Sequence, residues 1–573
     1  MHTLIMKKTI LATLALVGVL AGVSCQDRLE IPQKGVIAIE NFYQTEEDAE
    51  SAAVNIYNAG TYCWNMGAGF SAFVIAPVYF TFANAPSDDM FFGSGNKDDH
   101  VYGLEINEYR PTFTSESTVV KSMYMGFYQL IYACNLLTDH YEYGTSSNID
   151  RNISEARVFR ALAHMYLAMY WNNPPLVDHV LTGADRPGNT PHDEILSWVI
   201  SELDDAAKYL PSKTGLNDSA NAIRLTKEAA LSFMGKAQVF AGDYSGAKTT
   251  LKKVIDSGKY ALYPGEEIGD LFHRAGDGCC EKIFEFNFVD DPNTSYMGFY
   301  HFFANNSFYW RSSELASRPQ TTVPGEGWGG IAPTGEFARA MIANDGDSYR
   351  RKAWFLTYDE FLYDLPYDSD IAEDGHSLTL EEKKKDLKRG IYPTSAGLFG
   401  NEGYIHYKHV GRRSDLMANN TNNCDNNTII MRYAEVLLLY AEACAMTSDN
   451  DGLKYLNMIQ ERAGSKHVST SLTMNEVKNE KRFELWLEGT RFIDLVRWGD
   501  AATALKDNGK AVPNLRDLIG LEGHTEHFGY VDWSNAYYNG DNYGFKAGKN
   551  EYMPYPFSET SINPNIVQNP GWE

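Results

Sequence analysis

The chain has 573 residues, and its 75 acidic against 50 basic side chains leave a formal net charge of −25. Apolar residues make up 44% and charged ones 22%, a globular composition that excludes an intrinsically disordered chain. So acidic a surface, with no Lys/Arg-rich run, argues against nucleic acid as a partner. Seven cysteines, none in a C-x-x-C pair, form neither a disulfide scaffold nor a zinc knuckle. Aromatics stand out: 10 Trp, 36 Tyr and 29 Phe make up 13% of the chain.

The N-terminus sets the compartment. Lys7 and Lys8 precede an apolar stretch from Ile10 to Ala21, and Gly22-Val23-Ser24 then lead to Cys25. This stretch falls short of the ~20 residues that a membrane-spanning helix needs. Residues 1–24 therefore read as an export signal. A cysteine at the cleavage point is similar to the lipid-attachment site of bacterial lipoproteins, although Gly22 stands where that motif has Leu. Acyl chains on Cys25 would anchor the mature chain to a membrane; plain secretion is the alternative.

Helices follow in pairs. Glu46 to Gly60 and Thr118 to His140 make the first, with a long insertion between them. Glu155 to Trp171 is apolar almost all round, with Arg157, Arg160 and His164 forming one polar stripe; it pairs with a helix from Pro191 to Leu210. Leu225 to Ala241 and Ser245 to Ser257 flank the turn Gly242-Asp243-Tyr244. Gly235, Ala247 and Leu251 have the spacing of small and bulky packing positions in a tetratricopeptide (TPR) hairpin, with Gln238 in place of the usual Tyr. Ile429 to Met446 and Gly452 to Ala463 form the last pair. Such units bury their faces on one another and should stack into one body.

Between the pairs the composition changes. Thr61 to Pro111 and Gly276 to Gly335 are insertions rich in Gly, Asn and aromatics. Asp364 to Arg389 reads as a solvated charged face, and Asn419 to Asn427 as an exposed loop. The tail from Phe528 to Glu573 is expected to wrap the body without regular structure.

Five segments together resemble the SusD/RagB family of outer-membrane lipoproteins. They are EARVFRALAHMYLAMYWNNPPLV from Glu155, the Arg224–Leu262 helix pair, RYAEVLLLYAEA from Arg432, NEKRFELWLEGTRFIDLVRWGD from Asn479, and YMPYPFSETSINPNIVQNPGW from Tyr552. The resemblance implies a mainly α-helical SusD-like fold with four TPR-type hairpins and large irregular, aromatic-rich insertions. It implies residues 25–230 as an N-terminal region and 231–573 as a C-terminal region, packed as one body. It implies a non-enzymatic protein without cofactor or metal, anchored by lipid in the outer membrane and facing the cell exterior. Such a protein captures oligosaccharide and delivers it to a partner TonB-dependent, SusC-like transporter.

The chemistry of binding points to particular residues. A sugar ring presents C–H patches to aromatic faces, and its hydroxyls seek Asp, Asn or Arg. Trp64 and Phe92 with Asp88 and Asp89 form one candidate group, and the resemblance places polar ligand contacts at Ser87-Asp88-Asp89. Tyr296, Trp310 and Trp328 in the second insertion form the other. Trp171, Trp198, Trp354, Trp486 and Trp498 lie on helices and are expected in the core. Arg432, Glu435 and Glu442, and likewise Arg482, Glu488, Arg491, Asp494 and Arg497, read as paired structural charges. His406/His409 and His524/His527 are H-x-x-H pairs without a third ligand nearby. A peptide-binding member of the same architecture, a protein-binding TPR scaffold and, least favoured, a glycoside hydrolase remain as alternatives. Two carboxylates facing each other in a cleft, one held protonated, would mark the hydrolase.

Overall fold

The computed structural model describes residues 42–65, 78–93, 97–98, 100–218, 223–288, 330–357, 360–366, 370–385, 399–417, 420–513 and 537–573. The first helix pair is α1 (Glu46–Asn65) with α4 (Thr118–Thr138), and α2 (Val78–Asn84) and α3 (Val101–Asn107) lie in the insertion between them. The second is α5 (Ser147–Trp171) with α6 (His192–Ala206), and the third α7 (Lys227–Phe240) with α8 (Tyr244–Asp256). Short helices α9 (Gly335–Asp345), α10 (Tyr349–Trp354) and α11 (Leu380–Lys385) precede the fourth pair, α12 (Tyr433–Met446) with α13 (Gly452–Ala463). Helices α14 (Met474–Glu484) and α15 (Arg491–Trp498) follow. The pairs stack in chain order, with α4 on α5, α6 on α7 and α8 on α12. Residues 230 and 231, the meeting point of the two expected regions, both fall within α7.

The sequence dictates these helices through caps and close packing. Ser146, Thr226 and Asp243 open α5, α7 and α8 by accepting from the backbone N–H of Ile149, Ala229 and Gly246. Gly242 turns the chain between α7 and α8 with φ at +74°, which glycine adopts without strain. A Cβ on Gly235 would overlap the Leu251 side chain, so the small–bulky spacing marks a real contact between α7 and α8. The polar stripe of α5 pairs with α6. Arg157 and Arg160 each donate to Glu202 at 2.6 Å, while His164 Nε2 lies 3.1 Å from the Val177 carbonyl. From Asn152 onward every residue of α5 except Arg157 is buried, ending in fully buried Trp171.

Five two-stranded antiparallel pairs tie the insertions and loops to the helices among the described residues. They are β1 (Met90–Phe92) with β3 (Ile331–Pro333), β2 (Lys282–Phe286) with β8 (Thr428–Arg432), β4 (Phe355–Thr357) with β5 (Tyr404–His406), β6 (Leu416–Met417) with β7 (Asn420–Cys424), and β9 (Ala511–Val512) with β10 (Tyr537–Tyr538). Two expectations are corrected here. Residues 429–432 are strand, not the start of a helix, because Ile429 and Met431 register against Glu285 and Phe284 of β2 and the helix starts only at Tyr433. Part of the Asn-rich loop is likewise strand β7, and Asn426 and Asn427 are half-buried.

The tail locks onto the end of α5 as a wrapping segment, but not without regular structure: it holds β10 and a turn of helix at Phe557–Thr560. Trp171 Nε1 donates to the Pro554 carbonyl at 2.9 Å, and Tyr555 and Asn569 donate back to the Trp171 carbonyl. Trp171, Trp354 and Trp486 sit in the core, whereas Trp198 and Trp498 are half-buried. Cys63, Cys134, Cys279, Cys280, Cys424 and Cys444 are free thiols.

Candidate ligand-binding site

The two insertions, far apart in sequence, meet at one place. Strand β1 of the first pairs with β3 at the end of the second, in register Met90↔Pro333 and Phe92↔Ile331. Thr334, which caps α9, ties this junction by donating to the backbone carbonyls of Asp88 (3.0 Å) and Asp89 (3.2 Å).

Asp88 and Asp89 hold the junction to the helices rather than facing an open groove. Arg491 forks onto both carboxylate oxygens of Asp88 at 2.8 Å, and Arg482 Nε donates to Asp89 at 2.7 Å. Trp486 Nε1 adds a bond to the Asp89 carbonyl. Burial pushes the Asp89 carboxyl up to about 6 in spite of Arg482, while for half-buried Asp88 the rise from desolvation is outweighed by Arg491 and Arg482, which hold it below the usual range. A low and a raised carboxyl side by side are what general acid–base chemistry would use. Asp89 is 1% exposed, however, and both groups are taken up by arginines, so this is a clamp.

The aromatic candidates also lie elsewhere than on an open surface. Helix α1 runs on to Asn65 and carries Trp64 into the interior, where its indole is ringed by Phe127, Tyr166 and Phe286 at centroid distances of 5.6–5.9 Å. Phe92 is 1% exposed and fills the space that Gly103 of α3 leaves by lacking a Cβ. Exposed stacking platforms were expected at both positions; burial on a helix and on a paired strand corrects that. Tyr296, Trp310, Trp328 and Cys25 lie outside the described residues.

A pit of about 80 Å³ opens instead between α1, α2, β8 and the turn that follows α14. Trp64 and Asn65 from the end of α1, and Tyr79, Phe80 and Asn84 from α2, form one side. Phe272, His409, Leu487 and Glu488 face them, with Asn426, Asn427, Thr428 and Ile429 at the start of β8. Asn65, the last residue of α1, lines it, and Asn427 on the opposite side accepts through Oδ1 from Phe288 N. Aromatic rings with amide side chains among them suit a sugar ring better than a charged ligand. Glu488 brings a charge of its own. Burial raises its pKa, but Arg432 and Lys408 outweigh that and hold the carboxyl below its usual value. It is thus ionised at neutral pH, with its oxygens already accepting from Arg432 and Lys408, and is not suited to protonate a leaving group.

The fold agrees with the comparisons. A family model described as "SusD family" matches residues 280–572, just over half of the chain. The chain belongs to the SusD family. A SusD-like protein of Bacteroides ovatus is 23% identical, covering 98% of this chain and 97% of its own. The starch-binding protein SusD of Bacteroides thetaiotaomicron is 22% identical over 83% of this chain and 84% of that one. Among solved structures, a laminarin-binding SusD-like protein superposes with a TM-score of 0.66 at 22% identity, covering 92% of this chain and 99% of that one. The surface glycan-binding protein A of Bacteroides thetaiotaomicron in complex with laminarihexaose gives a TM-score of 0.65 at 20% identity, over 91% and 99%. At such identities the likeness is one of fold.

Other features of this SusD-family chain resolve more simply. His406 and His409 face each other at 3.3 Å, and no group of three or more His, Cys, Asp or Glu suited to a metal occurs among the described residues. Burial and the charges of His406, Lys408 and His273 keep the His409 imidazole neutral. A second hollow of about 240 Å³ lies across β2, lined by Val54, Tyr57, Ile223, Arg224 and Glu285. Most of its polar groups are taken: Arg224 by Glu50 and Glu155, the Tyr57 hydroxyl oxygen by Leu225 N, and Glu285 Oε1 by Gly278 N and Asn427, while Glu285 Oε2 accepts no hydrogen bond and lies 3.3 Å from Lys282 Nζ. Of the pit's residues, sequence reasoning had picked out Trp64, and had marked His409, Asn426, Asn427 and Glu488 for other reasons. Nothing in the sequence marks Phe272 or Leu487, which come from loops far away along the chain.

Proposed function

We propose that this SusD-family protein is a non-enzymatic glycan-binding lipoprotein of the cell surface, anchored through Cys25, which captures oligosaccharide for a TonB-dependent outer-membrane transporter. The observation that carries the reading is the pit itself, where the rings of Tyr79, Phe80 and Phe272 and the amides of Asn65, Asn84, Asn426 and Asn427 line one hollow. Relatives whose names record binding of starch, laminarin and laminarihexaose support carbohydrate as the ligand class. Against hydrolysis stand the arginine clamp on Asp88 and Asp89 and the low pKa of Glu488. No helix among the described residues is long and apolar enough to cross a membrane, in keeping with attachment by lipid.

Native affinity gels cast with plant, host and microbial polysaccharides test the reading on the chain from Gln26 to Glu573. Retardation by one polysaccharide class is expected, and no retardation by any would shift the reading to peptide capture. Tyr296, Trp310 and Trp328 of the second insertion are proposed as further ligand contacts. Trp328→Ala is expected to leave the melting temperature unchanged while weakening retention about tenfold, as loss of one aromatic contact does. A much earlier melt in that variant would assign Trp328 to the core. Metabolic labelling with a palmitate analogue checks the anchor: Cys25→Ala should abolish incorporation and release the chain from membranes.

A further inference from the structure

The charges on and behind the walls of the pit favour one sign. Glu488, whose side chain is 13% exposed, is the charged residue of the lining, and no lysine or arginine stands there among the described residues. His409, also on the lining, is neutral, as described above. The cations that meet Glu488 lie behind it: Lys408 is 1% exposed and Arg432 fully buried, so neither head group opens into the hollow. Their charge is already balanced. Together with Arg350 and Arg462 they meet five carboxylates, Glu488 among them, which leaves no cation over.

Where β8 starts, the wall is backed in the same way. Asn427 of the lining donates through its backbone N–H to Asp277 at 3.0 Å and through Nδ2 to Glu285 at 2.8 Å. Lys282, 3.3 Å from Glu285, balances one of these two carboxylates. Burial and the charge of Glu285 push the Asp277 carboxyl up to about 7, so this wall is already reluctant to hold a second negative charge. An anion entering the pit would face Glu488 directly and the Asp277–Glu285 pair through Asn427, partly out of water and with no cation to meet it. A charge so placed is unfavourable, and a cleft lined by one sign of charge concentrates its field. A hydroxylated ring without charge meets no such barrier.

We propose that the pit selects uncharged glycans and rejects acidic ones, those that carry uronate or sulfate groups. This rests on the glycan-binding reading above and adds the class of glycan to it. The selection works by repulsion of the wrong ligand, not by a tighter grip on the right one. It differs from the effect of the net charge of −25, which acts on any polyanion from a distance. That distant field is screened beyond about 10 Å at 0.1 M salt, whereas carboxylates at the wall of a partly dry pit act on a bound ring at short range, where salt screens them much less.

Affinity gels with the chain from Gln26 to Glu573 test this at about pH 8, where Asp277 is ionised. The acidic probes are polygalacturonate, alginate and chondroitin sulfate, set against the neutral polysaccharides of the panel. Each neutral polysaccharide that is retained is then compared as its hydroxyethyl and carboxymethyl derivatives, which are similar in size and differ in charge. The hydroxyethyl form should bind at least about tenfold more tightly than the carboxymethyl form at equal substitution, and the difference should persist at about 0.5 M NaCl. Asn426→Lys puts a cation on the lining and should erase most of that difference. Retention of an acidic polysaccharide as strong as that of any neutral one would overturn the inference and leave glycan binding standing. Equal binding of the two derivatives, a difference that vanishes at high salt, or an undiminished one in folded Asn426→Lys would do the same. Failure of every polysaccharide would overturn both. The comparison of derivatives needs no variant, so it decides even where Asn426→Lys folds poorly.

Discussion

Arg432→Ala is expected to destabilise the fold by about 3–5 kcal/mol, the range for removing one partner from a buried ionic cluster. Arg432 is fully buried and makes bonds of 2.6–2.8 Å to Glu281, Glu484 and Glu488, joining the end of β8 to the end of α14 and the turn beyond it. Arg350 and Arg462 close the cluster from α10 and α13, and Lys408 meets Glu488 at 2.7 Å. Removing Arg432 leaves Glu281 and Glu484 to Arg462 and Arg350, and Glu488 to Lys408, so a cluster of buried carboxylates loses the one cation that touched all three. Arg432→Lys should be destabilising too, since one ammonium cannot fork onto all three. Denaturant unfolding measures both, and an Arg432→Ala protein within ~1 kcal/mol of the parent would show the cluster to be worth little. The same cluster fixes the response to acid. Burial raises the Glu484 pKa, but Arg462, Arg432 and Arg350 outweigh it and hold the carboxyl far below its usual range. A depressed folded-state pKa contributes stability that is complete above the unfolded value of about 4.3 and is lost as pH falls toward the folded one. Glu484→Gln should therefore be costly at pH 7, and less so as the pH falls below about 4.

Arg491→Ala should have the second-largest effect, about 3 kcal/mol, because it leaves Asp88 beside buried Asp89 with Arg482 alone to balance them. Its consequence is local as well as global. The Asp88–Asp89 clamp holds β1 against β3 and seats the first insertion on the turn between α14 and α15. Loosening it should expose the insertions to protease at concentrations that spare the parent, and weaken glycan retention through their displacement. A variant with full stability but no binding would instead make Arg491 and Asp88 direct ligand contacts.

How far the sequence carried these conclusions depended on how local each signal was. The helix pairs were legible because apolar period, caps at Thr226 and Asp243, and the Gly235–Leu251 spacing all act within tens of residues. The charged residues were legible as paired, since buried charge must be, but their partners were not: Arg432 meets Glu281 and Arg491 meets Asp88, hundreds of positions away in the latter case. Ile429 to Arg432 looked helical because a short buried apolar run reads alike in helix and strand until its partner, β2, is known. Trp64 was misjudged through helix length. Five residues more of α1 turned an expected loop aromatic into a buried one. The pit could not be read at all as a unit, because α1, α2, Phe272, β8 and Leu487 are assembled only by the fold.

The most direct test of the account is hydrogen exchange on the chain with and without the oligosaccharide it retains. Ligand should slow exchange in residues 78–93, 426–432 and 485–491, which surround the pit and the junction of the insertions, and leave α6 to α8 unchanged. Protection confined to α6, α7 and α8, with none around the pit, would contradict the account and move the ligand to the helix pairs.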